Sequence, residues 1–408
     1  MRQFAIVNTA VKDPYITIGG DANGNKMYWR FGSDNLFPQA IAILNRRSTV
    51  HRGILKSKVR FIGGRGFSCD EKNAQLEWWI AHCNARNENL KSVIKNLIYD
   101  YKAFGNAFLE IVTNSKQSFL NIYQQDATKC RLAWDKKEII LHHNWRNYSG
   151  EKSYEKRLPI YPVFKDTGDG YLRSIVHLKE YEPEFENYGL MDWVAGLNVS
   201  AIAYKTDKWN ISRLDNSFNS SGVLVVAGEF KSDKDYEDFK TEFENKFTGE
   251  GNQGKILMMA QRPGADPDAG TRFVDVNKAS EGDWMDLHVQ STNDLIIAHG
   301  WYRSLTGIAD NTGFDTQRIL NEYEIALNTV ISEEQEMILN VLREILLRVG
   351  GIDGESLMFA NKPPATAKPA YMFIWEARQA DGLEFDPEDE LQKGFLANIT
   401  QKEIKVSI

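Results

Sequence analysis

Cysteine is scarce in this chain. The three present, Cys69, Cys83 and Cys130, are an odd and scattered set. They do not match the dense, even framework of a disulfide-stapled secreted domain, and a reducing compartment is expected. Long hydrophobic runs are missing too: the stretch from Ile338 to Leu347 is broken by Arg and Glu, far short of the roughly 20 apolar residues that a membrane span requires. No transmembrane helix is expected. Met1 to Val7 has one positive charge, too short an apolar run and no small-residue cleavage site, so it is not read as a secretory signal. An excess of positive charge is also lacking, since 49 Lys and Arg stand against 56 Asp and Glu for a net charge of −7. That balance argues against a broad phosphate-gripping surface, and nucleic acid is expected to be let past rather than held.

The chemical motifs are equally sparse. There is no Gly-x-x-x-x-Gly-Lys-Ser/Thr loop and no strand followed by GxGxxG, so ATP binding and any other cofactor are not expected. Asp21-Ala22-Asn23-Gly24-Asn25 resembles the opening of a calcium loop, but Lys26 replaces the sharp-turn glycine and Gly32 the bidentate Glu. Asp166 to Gly170 fails likewise at His177, and both read as hairpin turns. His142-His143 and His82-Cys83 lack CxxC or HxxxH spacing, and adjacent strand residues point to opposite faces, so no metal site is expected. Glu322, Glu324, Glu333, Glu334 and Glu336 lie on a long helix and read as a solvated face rather than as acid/base pairs. No catalytic residue is identified, and the chain is not expected to be an enzyme.

What is present is 408 residues of ordinary apolar content, 42%, enough for two or three cores or one elongated one. The fold class is α+β. Phe4 to Val11 reads as a strand, and an aromatic alternation from Tyr28 closes on a turn at Pro38, which opens a helix running through Ile41, Ile54 and Val59 to the glycines of Phe61 to Phe67. A helix from Leu90 to Phe104 leads through Gly105-Asn106 into a strand from Ala107 to Val112. Strands then alternate with turns at Asp135 to Lys137, Asn147 to Gly150 and Asp166 to Gly170.

From Gly189 to Phe218 the spacing predicts one long helix with apolar residues on more than one face. A small insert follows: a strand from Gly222 to Ala227, a charged helix from Lys231 to Phe247, the glycine-rich Gly249 to Gly254, and strands from Lys255 to Ala260 and Thr271 to Val276, with a turn at Pro263 to Pro267. Its strand edges are expected to pair with a neighbour. A second helix is expected from Ser280 to Leu305, a polar loop from Gly307 to Gly313, and a third helix from Asp315 to Val349 that would span about 50 Å before Gly350-Gly351 stops it. Beyond lie two β-like segments, Leu357 to Ala360 and Tyr371 to Trp375, and a short helix near Pro387 to Ala397.

This order of parts resembles the portal family of tailed double-stranded DNA phages. Tyr101 to Glu110 is similar to that family's helix-to-strand passage in the wing, Ser217 to Leu224 to its stem-to-clip passage, and Ile296 to Gly307 to the end of its second stem helix, although prolines common there are missing. Trp29 to Pro38 is similar to portal openings, and the likeness runs over roughly residues 28 to 350. The resemblance implies an N-terminal wing over 1–187, a first stem helix over 188–220 and a clip over 221–278. It further implies a second stem helix over 279–307, a tunnel loop over 308–314, a long helix over 315–350, and a C-terminal wing with a reduced crown over 351–408, the tail folding back on the wing.

In function the resemblance implies a non-enzymatic ring of identical subunits, usually twelve, at one capsid vertex of the virion, assembled in the host cytoplasm. Its expected partners are the terminase large subunit, the head-to-tail adaptor, the major capsid protein or scaffold, and duplex DNA in passage; no membrane is involved. The loop of Ala309, Asp310, Asn311, Thr312, Gly313 and Phe314 takes the DNA-facing position. Glu281, Asp283, Asp286 and Asp294 are candidates to line the channel, where like charge would keep phosphates from sticking; surface solubility explains any one of them equally well. A monomeric bundle, another ring-forming or minor virion protein, and a nucleic-acid enzyme stay open as alternatives.

Overall fold

The computed structural model describes residues 27–364, apart from 117–118, 149–154, 216–221, most of 228–256, 262–271, 276–280 and 308–315, together with parts of 373–393. The strand expected at Phe4 to Val11, the Asp21 to Asn25 turn, the glycine-rich and proline turns of the insert and most of its helix lie outside the described residues.

The first expected helix is two helices. α1 (Phe37–Arg47) and α2 (Thr49–Ile62) are separated at Ser48, whose backbone is extended at φ −88 and ψ 112. Ser48 accepts from Arg52 N at 3.0 Å and donates to Leu44 O at 3.0 Å. It therefore closes one helix and opens the next, at a residue and before a Thr-Val pair that favour leaving the helical conformation. The bend lets Ile41 of α1 and Ile54, Leu55, Val59 and Ile62 of α2 all enter one core.

Strand β1 (Phe67–Ser68) pairs antiparallel with Met358–Phe359, so the chain beyond the long helix does return to the N-terminal region. A short helix that the spacing did not announce, α3 (Ala74–Ala81), buries Leu76 and Trp79. α4 (Leu90–Phe104) starts where the Asn89 side chain accepts from Ser92 N at 2.9 Å and ends at Gly105, with φ 66. A Cβ at Gly105 would lie 2.2 Å from the carbonyl carbon of Leu190; both the left-handed backbone and the close approach demand glycine. The chain passes directly into β2 (Asn106–Thr113), buried along its whole length. β2 is central in a four-stranded antiparallel sheet, flanked by β3 (Asn121–Gln125) on one side.

A second, three-stranded meander follows: β4 (Cys130–Leu132), β5 (Glu138–Leu141) and β6 (Lys156–Pro159). β7 (Lys165–Asp166) and β8 (Leu172–Lys179) complete the first sheet, with β8 against β2. The Asp166 to Gly170 segment is the hairpin turn expected, Asp166 accepting from Gly168 N at 2.8 Å and Asp169 from Tyr171 N at 3.2 Å. His142 and His143 do not diverge as strand residues would. They follow the end of β5, and their ring centroids are 4.6 Å apart.

The helix expected from Gly189 begins later, at Leu197: α5 (Leu197–Asp215) is preceded by a 3₁₀ turn at Val194–Gly196. Residues 189–193 are a plug instead, buried except at Asp192. Asn106 Oδ1 accepts from Gly189 N at 2.9 Å, Trp193 Nε1 donates to Lys102 O at 2.9 Å, and Asp192 is drawn into ion pairs with two lysines. These bonds hold the segment off the helical path. Strands β9 (Gly222–Ala227), β10 (Leu257–Gln261) and β11 (Arg272–Asp275) form a three-stranded sheet with β9 central, parallel to β10 and antiparallel to β11.

α6 (Glu281–Ala298) is shorter than expected. Gly300 turns the chain at φ 53, His299 and Trp301 are buried, and a separate 3₁₀ turn covers Ser304–Thr306. The long helix runs unbroken from Thr316 to Gly350: α7 (Thr316–Ala326), a π turn at Leu327–Ile331, α8 (Ser332–Ile345) and a second π turn at Leu346–Gly350 before Gly351. At the first π turn Thr329 Oγ1 donates to Ile325 O at 2.7 Å and Ser332 Oγ to Leu327 O at 2.5 Å, hydroxyls competing for the helix carbonyls. β12 (Met358–Phe359) is the return strand.

Tyr371 to Trp375 is not β-like at its end. α9 (Ile374–Ala380) begins there, with the Glu376 carboxylate accepting from Phe373 N at 3.0 Å as a capping residue does. Pro387-Glu388 form a turn rather than the start of a helix, since Asp386 Oδ1 accepts from Glu388 N at 2.9 Å; the rest of that expected helix lies largely outside the described residues.

Candidate functional site

The stripe of α2 carries a lysine where an apolar residue is due. Lys58 sits four residues after Ile54 and four before Ile62, and Lys102 of α4 four after Ile98; both side chains are 2% exposed. A buried ammonium must be paired. Lys58 Nζ donates to Asp192 Oδ2 at 2.6 Å and to His299 O at 2.7 Å. Lys102 Nζ reaches the same Asp192 oxygen at 3.1 Å, Glu180 at 3.6 Å and the Glu334 carboxylate of α8. One cluster thus joins α2, α4, the 189–193 plug, the turn after α6 and the long helix.

Three carboxylates face two ammoniums there. Burial works against the Lys102 charge, but Asp192, Glu334 and Glu180 together outweigh it and its pKa is raised. For Lys58 burial prevails over Asp192 and the pKa falls. Burial would raise the partly exposed Asp192, yet the two lysines hold it below the usual carboxylate range. Glu334 goes up, because burial and the neighbouring carboxylates exceed the pull of Lys102. Glu334 is therefore not part of the solvated face expected of it. Glu324, Glu333 and Glu336 are exposed, as expected.

Beside the cluster lie two buried histidines. His51 Nε2 is 2.6 Å from Asn45 Oδ1, and His51 Nδ1 is 2.9 Å from His299 Nε2. With Asn45 Oδ1 as acceptor, His51 carries its proton on Nε2 and accepts from His299 Nε2–H, which leaves His299 Nδ1 bare; that atom is buried without a partner. Burial pushes His51 down to about 4 and His299 well below its ordinary value, so both are neutral. Among the described residues no nucleophile is poised against either ring. The arrangement binds elements together. Among the described residues no group of three or more His, Cys, Asp or Glu is placed to hold a metal.

The same helix fixes the 3₁₀ turn after α6. Ser57 Oγ donates to Leu305 O at 2.6 Å and accepts from Trp301 Nε1 at 3.2 Å. Gly307, at φ 80, closes the 3₁₀ turn in a left-handed conformation. From the far side, Glu322 of α7 accepts from Ser304 N at 3.0 Å, from the Ser304 hydroxyl and from Arg318 Nε at 2.9 Å. Burial alone would raise the Glu322 carboxyl, but these donors carry it below its ordinary value. Glu322 too is a brace rather than a solvated residue. Tyr323 packs on Phe61 of α2, with ring centroids 5.7 Å apart. The residues on either side of 308–315 are thus tied to each other and to α2.

Of the residues singled out from sequence, Ala309, Asp310, Asn311, Thr312, Gly313 and Phe314 lie outside the described residues. Glu281, Asp283 and Asp286 lie on α6, their side chains likewise outside the description. Asp294 is exposed on α6, between the buried Thr292 and Leu295. Lys58, Lys102, Asp192, His51 and His299 were not anticipated; the available signal was a charge placed on the apolar stripe of each helix.

Residues 71–267 match the family described as phage portal protein. An uncharacterized protein of Rickettsia bellii (strain RML369-C) is 25% identical over 219 residues, 53% of this chain and 52% of that protein. Another of Rickettsia felis (strain ATCC VR-1525 / URRWXCal2) is also 25% identical over 219 residues. The chain thus aligns with about half the length of these relatives. Among solved structures, a chain of the neck of a native GTA particle computed with C12 symmetry is 15% identical, with a TM-score of 0.46, over 86% of this chain and 95% of that one.

Proposed function

Because residues 71–267 match the family described as phage portal protein, we propose that the chain is the subunit of a portal, a ring at one capsid vertex through which duplex DNA enters and leaves. The single observation that carries this reading is the succession of α5, the small β9–β11 sheet, α6 and one unbroken helix from Thr316 to Gly350.

The surface of these helices supports assembly. Ile202 on α5, Val289 and Ile297 on α6 and Ile325 on α7 are exposed, Ile297 by 75%. Isolated exposed apolar residues are ordinary, but four on the struts that would face neighbours suit a heterologous contact, which closes a ring when one face meets a different face of the next copy. The resemblance implies a ring of usually twelve subunits. It assigns the β9–β11 sheet to the clip that docks the terminase large subunit and then the head-to-tail adaptor, and the wing to contact with the major capsid protein or scaffold.

DNA transport needs a wall that does not trap phosphates, and acidic residues such as Asp294 on the channel face would supply one. Residues 309–314 are the DNA-facing element of this reading, and the Ser304–Glu322 brace and Ser57 fix the residues that flank them. The subunit is non-enzymatic in this role, and the work of packaging comes from the motor. Size-exclusion chromatography with light scattering, followed by negative-stain imaging, tests the proposal. A turbine-shaped ring with a central hole is expected; a monomer, or an assembly without a hole, overturns it. Deleting residues 309–314 should leave rings intact while impairing packaging or retention of DNA.

A further inference from the structure

One segment contradicts the charge of the whole. From Asn35 to Cys69 there is no Asp or Glu, while Arg46, Arg47, Arg52, Lys56, Lys58, Arg60 and Arg65 all fall there, in a chain of net charge −7. The fold sorts these cations by helix face. The apolar stripe of α2 turns Ile54, Leu55 and Ile62 inward together with Lys58. Lys56 and Arg60, four residues apart, therefore emerge side by side on the outer face, both exposed. Arg65 joins them after the helix ends, and Lys362 arrives on the chain returning beyond β12.

These four cations line one open groove of about 580 Å³, whose floor includes Gly307 and Tyr323. No carboxylate lines it, and none of the four forms an ion pair among the described residues. Four like charges around one cavity repel each other unless an anion is present. Gly307 is the foot of the loop assigned above to DNA.

We propose that this groove is a phosphate-binding site, and that its ligand is the backbone of duplex DNA. The identity of the ligand rests on the portal reading; the anion chemistry of the groove does not. The consequence is a division of labour: acidic surfaces let DNA slide, and a basic groove at the loop foot grips its backbone. Binding here would read no sequence, because contacts to phosphate oxygens position the backbone and touch no base edge.

The test uses the full-length protein and a fluorescent duplex oligonucleotide of mixed sequence, with anisotropy followed over a salt series. One variant carries K56Q, R60Q, R65Q and K362Q. A control removes the same charge elsewhere, as K72Q, K91Q, K95Q and K137Q, all at exposed positions. The groove variant should lose at least about tenfold in affinity at low salt, and its slope of log affinity against log salt should shrink by about 1 or more. The control should stay near wild type. Equal losses in both variants, or no loss in the groove variant, overturn the proposal. So does a groove variant that no longer forms the rings wild type forms, since the groove would then be a contact between copies. If wild type forms no ring but the groove variant still loses DNA relative to the control, the portal reading fails and the groove stands.

Discussion

Asp100 should make the protein less stable as pH rises, the reverse of what most carboxylates do. It lies on α4, buried, and accepts from Gln124 Nε2 at 2.6 Å and from Ala127 N at 3.0 Å. Burial pushes its pKa up from 3.8 to about 7; the two donors resist and nearby Asp126 adds to the rise. Between those values the folded chain holds a proton that the unfolded chain releases, so stability falls across this window and the cost is complete above pH 7. A shift of about three units at 1.36 kcal/mol each is worth about 4 kcal/mol. Asp100→Asn removes the titration, keeps an acceptor oxygen and leaves every other group unchanged. Urea unfolding of both proteins followed by circular dichroism, repeated at half-unit steps from pH 4 to 7.5, isolates the effect as a difference. The variant should gain stability relative to wild type as pH rises, by up to about 1.4 kcal/mol per unit. A difference that is flat with pH, or that favours wild type increasingly, would refute the argument, because the carboxyl would then be solvated or ion-paired.

Gly105→Ala sets a Cβ 2.2 Å from the Leu190 carbonyl carbon on a left-handed backbone; it should cost about 3 kcal/mol or more and lower the thermal midpoint by several degrees, read by circular dichroism. In the buried cluster, Lys102→Met leaves three carboxylates to one lysine and should cost about 3 kcal/mol. Glu334→Gln removes the surplus acid and should cost less than about 1 kcal/mol; if denaturant titration puts these two in the reverse order, the charge count is wrong. His51, at about 4 when folded against 6.5 when free, favours the folded state above pH 6.5 and gives up about 3 kcal/mol as pH falls through 4. His51→Gln should therefore flatten the acid limb of the stability profile. Glu322→Gln weakens the brace across the loop feet, so limited proteolysis within 308–315 should quicken while the global midpoint moves little.

Periodicity made much of the framework legible. The helix from Leu90 to Phe104, the buried strand after it, the three short strands of the insert and the helix stopped by Gly351 all follow from apolar spacing and glycine. Where reading failed, a tertiary bond had overridden local pattern. Leu190 and Trp193 fit a helical stripe, but Asp192 is claimed by Lys58 and Lys102, and the segment becomes a plug. The stretch after Ala298 kept its apolar residues, yet Lys58 takes the His299 carbonyl and Trp301 turns in to Ser57. Glu322 and Glu334 had the spacing of solvated acids; only the arrival of Ser304 and Lys102 from distant sequence makes them braces. Charge tallied over the whole chain also hid the acid-free stretch from Asn35 to Cys69, because its cations are outweighed by carboxylates elsewhere.

Helix α2 then serves two demands that its geometry keeps apart. Its inner face holds His51, Ser57 and Lys58, each bonded to the turn after α6 or to the cluster beneath it; its outer face presents Lys56 and Arg60 with no protein partner among the described residues. A substitution one residue along the sequence rotates about 100° around the helix and so passes from one demand to the other. Ser57→Ala should loosen the loop foot and lower stability while leaving the salt dependence of DNA binding unchanged. Lys56→Gln should do the converse. Effects that mixed on each face, read by melting and by anisotropy on the same preparations, would mean that holding the loop and holding DNA are one property and that the charge pattern of α2 has another origin.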